Sequence, residues 1–275
     1  MVSYHRCLKI WEIPQEKEQY KDGFEQMNWP KEGNIEFTNY SLKYRPDTEI
    51  VLNNLSFDIK NNEKIGVVGR TGAGKSTIWL ALCRIVEAHS GSIIIDGKDI
   101  SDLGLSDLRQ KITIIPQDPT LFDGSLRFNL DPEGIYSDSY LLDLSKQASL
   151  EKLILRDDKG LDQTIEEGGQ NLSSGEKQLI CICRAILKKN KIVLMDEATA
   201  NIDIKTEETI QSLIHEKFND STVITIAHRL NTIINSDKVL VMERGRVKEF
   251  DWPKRLLEDK SSDFYSYVKA LKKSD

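Results

Sequence analysis

The sequence has no long apolar run, few cysteines and no excess of basic residues. No segment approaches the roughly 18–20 consecutive apolar residues that a membrane-spanning helix needs. Residues 1–11 mix charged, polar and apolar side chains, so they do not resemble the apolar core of a signal peptide. A membrane role would therefore depend on a partner or on chain outside this sequence.

The charge balance and the cysteines argue against two further classes of function. The net charge is −6 at pH 7, whereas nucleic-acid binding usually requires a clustered basic surface. Four cysteines in 275 residues are typical of a reducing compartment. Cys181 and Cys183 are two residues apart in a helical pattern, so they do not face each other and do not predict a zinc pair. We expect both to pack in the core.

Strand-like and helix-like segments alternate from Ile35 onward, which predicts an α/β fold with a mostly parallel sheet. Two β-rich segments, 35–44 and 50–59, come first and predict an antiparallel β subdomain. Further strands are predicted at 64–68, 92–95, 112–115, 192–195, 223–226, 239–242 and 246–250. An apolar face predicts a helix after 64–68; it consists of Ile78, Ala81, Leu82, Ile85 and Val86.

Two helices, a lobe and a leading arm complete the predicted organisation. Helices are expected at 173–187 and at 203–218, the second with Asp203 as its N-cap. The stretch 135–170 lacks strand signals, so we expect a helical lobe over about 135–190. Residues 1–33, with two prolines and a mixed charged cluster, are interpreted as a linker or leading arm, which leaves 34–275 as one domain.

A phosphate-binding loop is predicted between the strand at 64–68 and the following helix. Residues 69–76 match the pattern Gly, any four residues, Gly, Lys, then Ser or Thr. They are Gly69, Arg70, Thr71, Gly72, Ala73, Gly74, Lys75 and Ser76, and Thr77 follows them. Glycines let backbone N–H groups curl around phosphate oxygens, and the helix directs the positive end of its dipole at the same anion. Lys75 supplies a charge for the β- and γ-phosphates, and Ser76 a hydroxyl for Mg²⁺.

Two carboxylates end the apolar strand predicted at 192–195. Asp196 is placed to hold Mg²⁺ through water, and Glu197 to activate the attacking water. Phosphoryl transfer depends mostly on positioning and charge neutralisation, which these groups provide. With the phosphate loop, they predict a P-loop nucleotide triphosphatase.

Further segments in a fixed order resemble the ATPases of the ABC transporters. Residues 172–176, Leu-Ser-Ser-Gly-Glu, resemble that family's signature, Leu-Ser-Gly-Gly-Gln. Gln117 follows a strand as the family's Q-loop glutamine does, residues 200–203 resemble the D-loop, and His228 stands where the family has its switch histidine. Together with the two motifs above, these segments occur in the family's order.

This resemblance implies a set of functional residues and cofactors. It implies ATP and Mg²⁺ as cofactors, with Tyr44 stacked on the adenine ring. The implied catalytic residues are Glu197, His228, Gln117 and Lys75, and the implied metal ligands are Ser76, Gln117 and Asp196. Ser173, Ser174 and Gly175 would contact nucleotide held by another domain.

The resemblance covers about residues 35–271 and is closest to the second nucleotide-binding domain of subfamily C, the multidrug-resistance-protein type. The densest matches are at 111–119, 121–122, 124–127, 129–132 and 225–233. Residues 1–3 look like the segment after a last membrane helix. The resemblance thus implies work at the cytoplasmic face of a membrane, with transmembrane domains and a second nucleotide-binding domain, head to tail, as partners, and no nucleic acid.

Two departures from the family signature bear on activity. Ser174 replaces a glycine, and Glu176 replaces a glutamine and brings a negative charge near a phosphate-facing loop. In this subfamily one of the two composite ATP sites is often degenerate, and this signature would serve that site. Because Glu197 is intact, the chain's own phosphate loop is expected to serve the active site.

Other ATPases with these motifs fit less well. A chromosome-maintenance ATPase would insert a long coiled coil between phosphate loop and signature, but the sequence there shows no sustained heptads. A ribosome-associated ABC protein would carry two such domains and basic arms in one chain, and neither appears in this sequence. The alternative that stays open is a regulatory role, in which ATP binding controls a channel or partner with little turnover.

Overall fold

The computed structural model describes residues 11, 15–24, 28–196, 203–227 and 230–271. A six-stranded sheet in the order β12-β11-β3-β10-β9-β6 forms its centre. Its strands are β3 (Lys64–Val68), β6 (Ile112–Ile115), β9 (Ile192–Asp196), β10 (Thr222–Ile226), β11 (Lys238–Glu243) and β12 (Arg246–Asp251). Five strands run parallel and only β12 runs antiparallel to its neighbour among these six. The predicted α/β class is therefore confirmed.

A four-stranded antiparallel sheet stands beside it and confirms the predicted β subdomain. The order is β2-β1-β4-β5, with β1 (Ile35–Leu42), β2 (Leu52–Ile59), β4 (Ser90–Ile95) and β5 (Lys98–Asp99). Phe37 pairs with Phe57 across β1 and β2, and their rings stack at 4.5 Å between centroids. Such cross-strand aromatic pairs stabilise one register of a sheet.

The helices follow the chain as alternation predicts, and four of the ten given below lie between β6 and β9. They are α1 (Lys75–Leu82), α2 (Leu105–Gln110), α3 (Leu126–Leu130), α4 (Asp138–Gln147), α5 (Glu151–Ile154), α6 (Ser174–Lys188), α7 (Ile204–Lys217), α8 (Leu230–Ile234), α9 (Pro253–Glu258) and α10 (Asp263–Leu271). Asp203 caps α7 as predicted, since its side chain accepts a hydrogen bond from the Thr206 N–H. Cys181 and Cys183 are buried in α6, also as predicted.

Three apolar clusters organise the packing of the described residues. One joins the two sheets and includes Phe37, Ile78 and Leu240. A second fills the lobe between β6, α6 and α7, with Ile115, Ile182 and Ile210 among its members. A third packs α10 against the outer part of the six-stranded sheet. The sheet edge that carries the motif residues is thus supported from both faces.

The helix after β3 is shorter than its apolar pattern predicts. It ends at Leu82, and Ile85, which the pattern assigns to the buried face, is exposed. Arg84 takes a left-handed conformation, with φ at 47°. Its buried guanidinium donates to the carbonyls of Ile100 and Leu103 at 2.8 and 2.7 Å, and these bonds hold the turn that ends the helix.

The segment predicted to lack strands contains one short pairing. Residues Thr164–Ile165 (β8) form a two-residue antiparallel bridge with Gly124–Ser125 (β7). Two residues carry too little alternation to be recognised in a sequence, so the pattern could not reveal this bridge.

The described part of the leading arm contacts the domain at several places. Arg109 binds both carboxylate oxygens of Glu16, at 2.7 and 3.1 Å. Trp29 is buried, and its indole N–H donates to the Ile95 carbonyl at 2.9 Å. The Asp96 carboxylate accepts from the backbone N–H groups of residues 31–34 at 2.8–3.0 Å. The arm is thus anchored beside the antiparallel sheet.

Within the described residues, no helix combines the length and the apolar character that a membrane crossing requires.

Candidate functional site

The residues of four predicted motifs follow neighbouring strands of the six-stranded sheet. β3, β10, β9 and β6 are adjacent and parallel, so their carboxyl ends share one edge. Gly69 follows β3, Ala227 follows β10, Asp196 ends β9 and Gln117 comes two residues after β6. Ligands of open parallel sheets bind at this kind of edge.

The phosphate loop has a backbone that glycine makes possible. Gly69, Gly72 and Gly74 have φ angles of 150°, 80° and 98°, a range that side chains with a Cβ rarely adopt. Gly74 immediately precedes the first residue of α1. The loop therefore leads directly into a helix N-terminus, whose N–H groups and dipole favour an anion.

The turn between β11 and β12 packs against the phosphate loop. The Gly245 N–H donates to the Ala73 carbonyl at 3.0 Å. A Cβ on Gly69 would lie 2.4 Å from the Met242 carbonyl oxygen, and one on Gly245 would lie 1.9 Å from that of Val51. Sequence reasoning did not identify this support; the Arg244-Gly245 pair was its only local signal.

Lys75 is held against its own loop. Its ammonium donates to the carbonyls of Gly69 and Arg70 at 2.8 and 3.2 Å. Burial lowers the pKa of Lys75, and the negative charge of Asp196 opposes that shift. The Asp196 carboxylate at the end of β9 thus favours the charged form of Lys75.

The predicted metal ligands offer the donors that Mg²⁺ prefers. Ser76 lies exposed in the first turn of α1, Gln117 is exposed after β6, and Asp196 is partly buried. A hydroxyl, an amide oxygen and a single carboxylate suit an ion that keeps several waters and shares phosphate oxygens. These residues fit Mg²⁺ bound together with a nucleotide.

Tyr44 lies close to the phosphate-loop helix. Its hydroxyl is 2.9 Å from that of Thr77, and 48% of its side chain is exposed. An exposed ring fixed at its hydroxyl end leaves a face available for stacking. The role of Tyr44 toward adenine stays a prediction.

The signature residues lie at the start of α6, on the lobe. Ser173 is the N-cap, and its hydroxyl accepts from the Glu176 N–H. Ser173 and Ser174 are exposed, whereas Gly175 is buried. A Cβ on Gly175 would come within 2.8 Å of the Thr206 methyl carbon, so the glycine permits close packing of α6 on α7.

Glu176 is partnered on both of its oxygens. One oxygen accepts from the N–H and the hydroxyl of Ser173, which completes a capping box. The other is 2.5 Å from an Arg156 guanidinium nitrogen. The charge that the signature gains relative to the family pattern is thus partly offset within the lobe, by a contact that residue type and spacing do not reveal.

Two predicted catalytic residues, Glu197 and His228, lie outside the described residues, as do 198–202 of the D-loop region. Of the predicted set, the structure describes the phosphate loop, Thr77, Tyr44, Gln117, Asp196 and the signature. It gathers the loop, Tyr44 and Asp196 on one side, and holds the signature on the lobe.

Comparison with known proteins agrees with this geometry. The family model described as ABC transporter matches residues 52–200. Bile pigment transporter 1 of Saccharomyces cerevisiae is 46% identical over 97% of this chain and 18% of its own length. ATP-binding cassette sub-family C member 2 of Rattus norvegicus is 45% identical over 98% of this chain and 17% of its own. The chain thus spans less than a fifth of these relatives.

A solved structure gives the same result for the fold. A bacterial Atm1-family ABC exporter with ATP bound superimposes with a TM-score of 0.84 at 31% identity. The match covers 98% of this chain and 47% of that one. The fold therefore extends over nearly the whole sequence.

Proposed function

The chain belongs to the ABC transporter family, as a nucleotide-binding domain similar to those of subfamily C, and we propose that it binds and hydrolyses Mg-ATP to power transport by a larger assembly. The observation that carries this proposal is the phosphate loop at the sheet edge. Three glycines with positive φ lead into α1, and the Lys75 ammonium is held at that loop by the carbonyls of Gly69 and Arg70.

In this proposal Lys75 leaves its two carbonyl partners and binds the β- and γ-phosphates. The exchange is favourable because a phosphate is a stronger partner for an ammonium than a neutral carbonyl oxygen. Backbone N–H groups of the loop and of the first turn of α1 complete the phosphate contacts. Tyr44 stacks on the adenine ring, with its orientation fixed by Thr77.

Hydrolysis requires a base and a charge-neutralising group. Ser76, Gln117 and Asp196 would hold Mg²⁺, which when bound neutralises charge on the β- and γ-phosphates. Glu197, directly after Asp196, takes the proton of the attacking water, and His228 contacts the γ-phosphate. These roles are supported by the order of the strands that carry them.

The signature is proposed to act on a different ATP molecule. Ser173 and Gly175 lie at the start of helix α6 on the lobe, whereas Lys75 bonds to the phosphate loop. In this proposal the signature and the phosphate loop each supply half of the contacts to a different ATP molecule. A second nucleotide-binding domain, placed head to tail, would complete both halves. Transmembrane domains would couple closure to transport at the cytoplasmic face of a membrane.

Titration of the 275-residue chain with Mg-ATP tests the first step. We expect saturable binding that is lost with EDTA and weakened by Lys75→Ala, with Lys43→Ala, at a partly exposed position next to Tyr44, as a control. Absence of ATP binding to the folded chain would contradict the proposal. Intact ATP binding with slow or absent turnover in the full assembly would favour the regulatory role.

A further inference from the structure

The Glu176 carboxylate occupies the donors at the start of the signature helix. Its Oε2 accepts from the Ser173 N–H at 2.8 Å and from the Ser173 hydroxyl at 2.9 Å. The Glu176 N–H in turn donates to the Ser173 hydroxyl oxygen at 3.3 Å. The serine at the exposed tip of α6 therefore has its backbone and side-chain donors directed at an anion in its own helix.

Arg156 fixes that anion in place. Its Nη2 lies 2.5 Å from Glu176 Oε1, and its Nη1 donates to the Asn171 carbonyl at 3.3 Å. The Glu176 side chain is only 20% exposed, whereas that of Arg156 is 50% exposed. A charge-assisted pair that also bonds to the backbone holds its carboxylate more firmly than a pair free in solvent.

The same donors are those that a phosphate would use. Helix α6 has 15 residues, so its N-terminus carries the full favourable interaction with an anion. A nucleotide phosphate presented by a partner domain, as in the function proposed above, would compete with the carboxylate for Ser173. It would also lie close to that carboxylate, whose charge Arg156 offsets only in part because its guanidinium is half exposed, and the remaining negative charge disfavours its approach.

We propose that Glu176 is an internal substitute for phosphate at the signature, and that Arg156 is the positioning residue that keeps it there. This inference rests on the proposed function. The pair weakens ATP-dependent closure of the composite site that uses this signature, while the chain's own phosphate loop is left unaffected. Glutamine at 176 would keep the capping box, since Gln serves at that position as well as Glu, but would yield to phosphate.

Self-association of the chain provides the test, because two copies placed head to tail contain this signature in both sites. In a Glu197→Gln background, sedimentation velocity with Mg-ATP measures the dimer dissociation constant. Glu176→Gln should lower it about tenfold, roughly threefold for each site, as expected for removing one charge at a helix terminus. Glu167→Gln removes the same charge from an exposed position of the lobe and should change it less than about twofold.

The role of Arg156 is tested through Glu176. Arg156→Gln should lower the dissociation constant about threefold when Glu176 is present, and should have no effect beyond error in the Glu176→Gln background. Thermal melting should show all variants folded. An equal effect in both backgrounds, or weaker dimerisation with Arg156→Gln, would overturn the positioning role.

Two other outcomes separate this inference from the proposed function. If the monomeric chain does not bind Mg-ATP, the proposed function fails first. A second outcome is that the chain binds Mg-ATP but the Glu176→Gln variant associates no better than the parent chain, or does not associate at any concentration at which it stays soluble. In that case the proposed function stands and the internal-phosphate inference is overturned.

Discussion

The hydroxyl of Tyr44 lies 2.9 Å from the hydroxyl of Thr77, across 33 residues of sequence. Thr77 is buried in α1, two residues after the loop lysine, and Tyr44 is in the segment between β1 and β2. This bond fixes an exposed aromatic ring relative to the phosphate loop, which is the geometry a base-stacking residue requires.

Tyr44→Ala should therefore weaken Mg-ATP binding by roughly 1–3 kcal/mol, the scale of base–aromatic stacking. Tyr44→Phe keeps the ring and loses only the bond to Thr77, so it should cost about 1 kcal/mol or less. Isothermal titration calorimetry of both variants measures the difference. Unchanged affinity in Tyr44→Ala would exclude the ring from the nucleotide site.

ATP binding and ATP hydrolysis should depend on two different residues, Lys75 and Glu197. Lys75→Ala removes a phosphate contact and should weaken ATP binding. Glu197→Gln keeps the side-chain shape but loses the base, so it should leave binding intact and slow hydrolysis by roughly 10²–10⁴-fold. Nucleotide titration and phosphate release by the assembled transporter check both. A Glu197→Gln variant that hydrolyses at the parental rate would refute the assignment of the base.

The two ATP sites of the assembled transporter should respond unequally. Glu197→Gln should abolish most hydrolysis, because it disables the site built on this chain's phosphate loop. Ser173→Ala should cost much less, because the site that uses this signature already carries Ser174 and Glu176 in place of the family's residues. Both variants are measured in the same membrane preparation. Equal losses would mean two equivalent, coupled sites.

Asp96 should make the anchoring of the arm dependent on pH. Partial burial alone would raise the pKa of Asp96, but hydrogen bonds from the N–H groups of Gly33, Glu32 and Asn34 outweigh it and lower the pKa below its ordinary value. Because the folded pKa is depressed, the stabilisation is present above the unfolded pKa of about 4 and is lost as the pH falls through the folded pKa.

Asp96→Asn should therefore lower the free energy of unfolding by about 1–3 kcal/mol at pH 7, toward the lower end because the group is partly exposed. The gap between variant and parent in urea melts should shrink as the pH falls below about 4. Asp47→Asn, in the exposed turn after Tyr44, serves as the control. A gap that does not change with pH would mean that the carboxylate charge is not what stabilises the arm.

The parts of the fold that sequence could predict are those with strong periodicity or a fixed motif. The buried strand at Lys64–Val68 was bounded correctly because an apolar run ends at a glycine loop, and α6 was predicted within a residue because its apolar face repeats over 15 residues. The end of α1 was missed, since Arg84 turns the chain through bonds to Ile100 and Leu103, which periodicity does not record.

The candidate site likewise has parts that the sequence predicts and parts that it does not. The phosphate loop and Asp196 were predictable because residue type and spacing alone define them. The support from Gly245 and the pairing of Arg156 with Glu176 were not, because each joins residues 20 or more positions apart through contacts that depend on the folded lobe and sheet. Glu176 was recognised as an extra charge, but its compensation needed the structure.

The capping box at the start of α6 also has an evolutionary consequence. Glutamate and glutamine serve equally at its third position, and their codons differ by one base. An exchange at 176 therefore leaves the helix start satisfied and requires a single mutational step. On the proposal above, one substitution at 176 therefore adjusts the ATP site that uses this signature in either direction, and the domain is folded before and after it without a compensating change elsewhere.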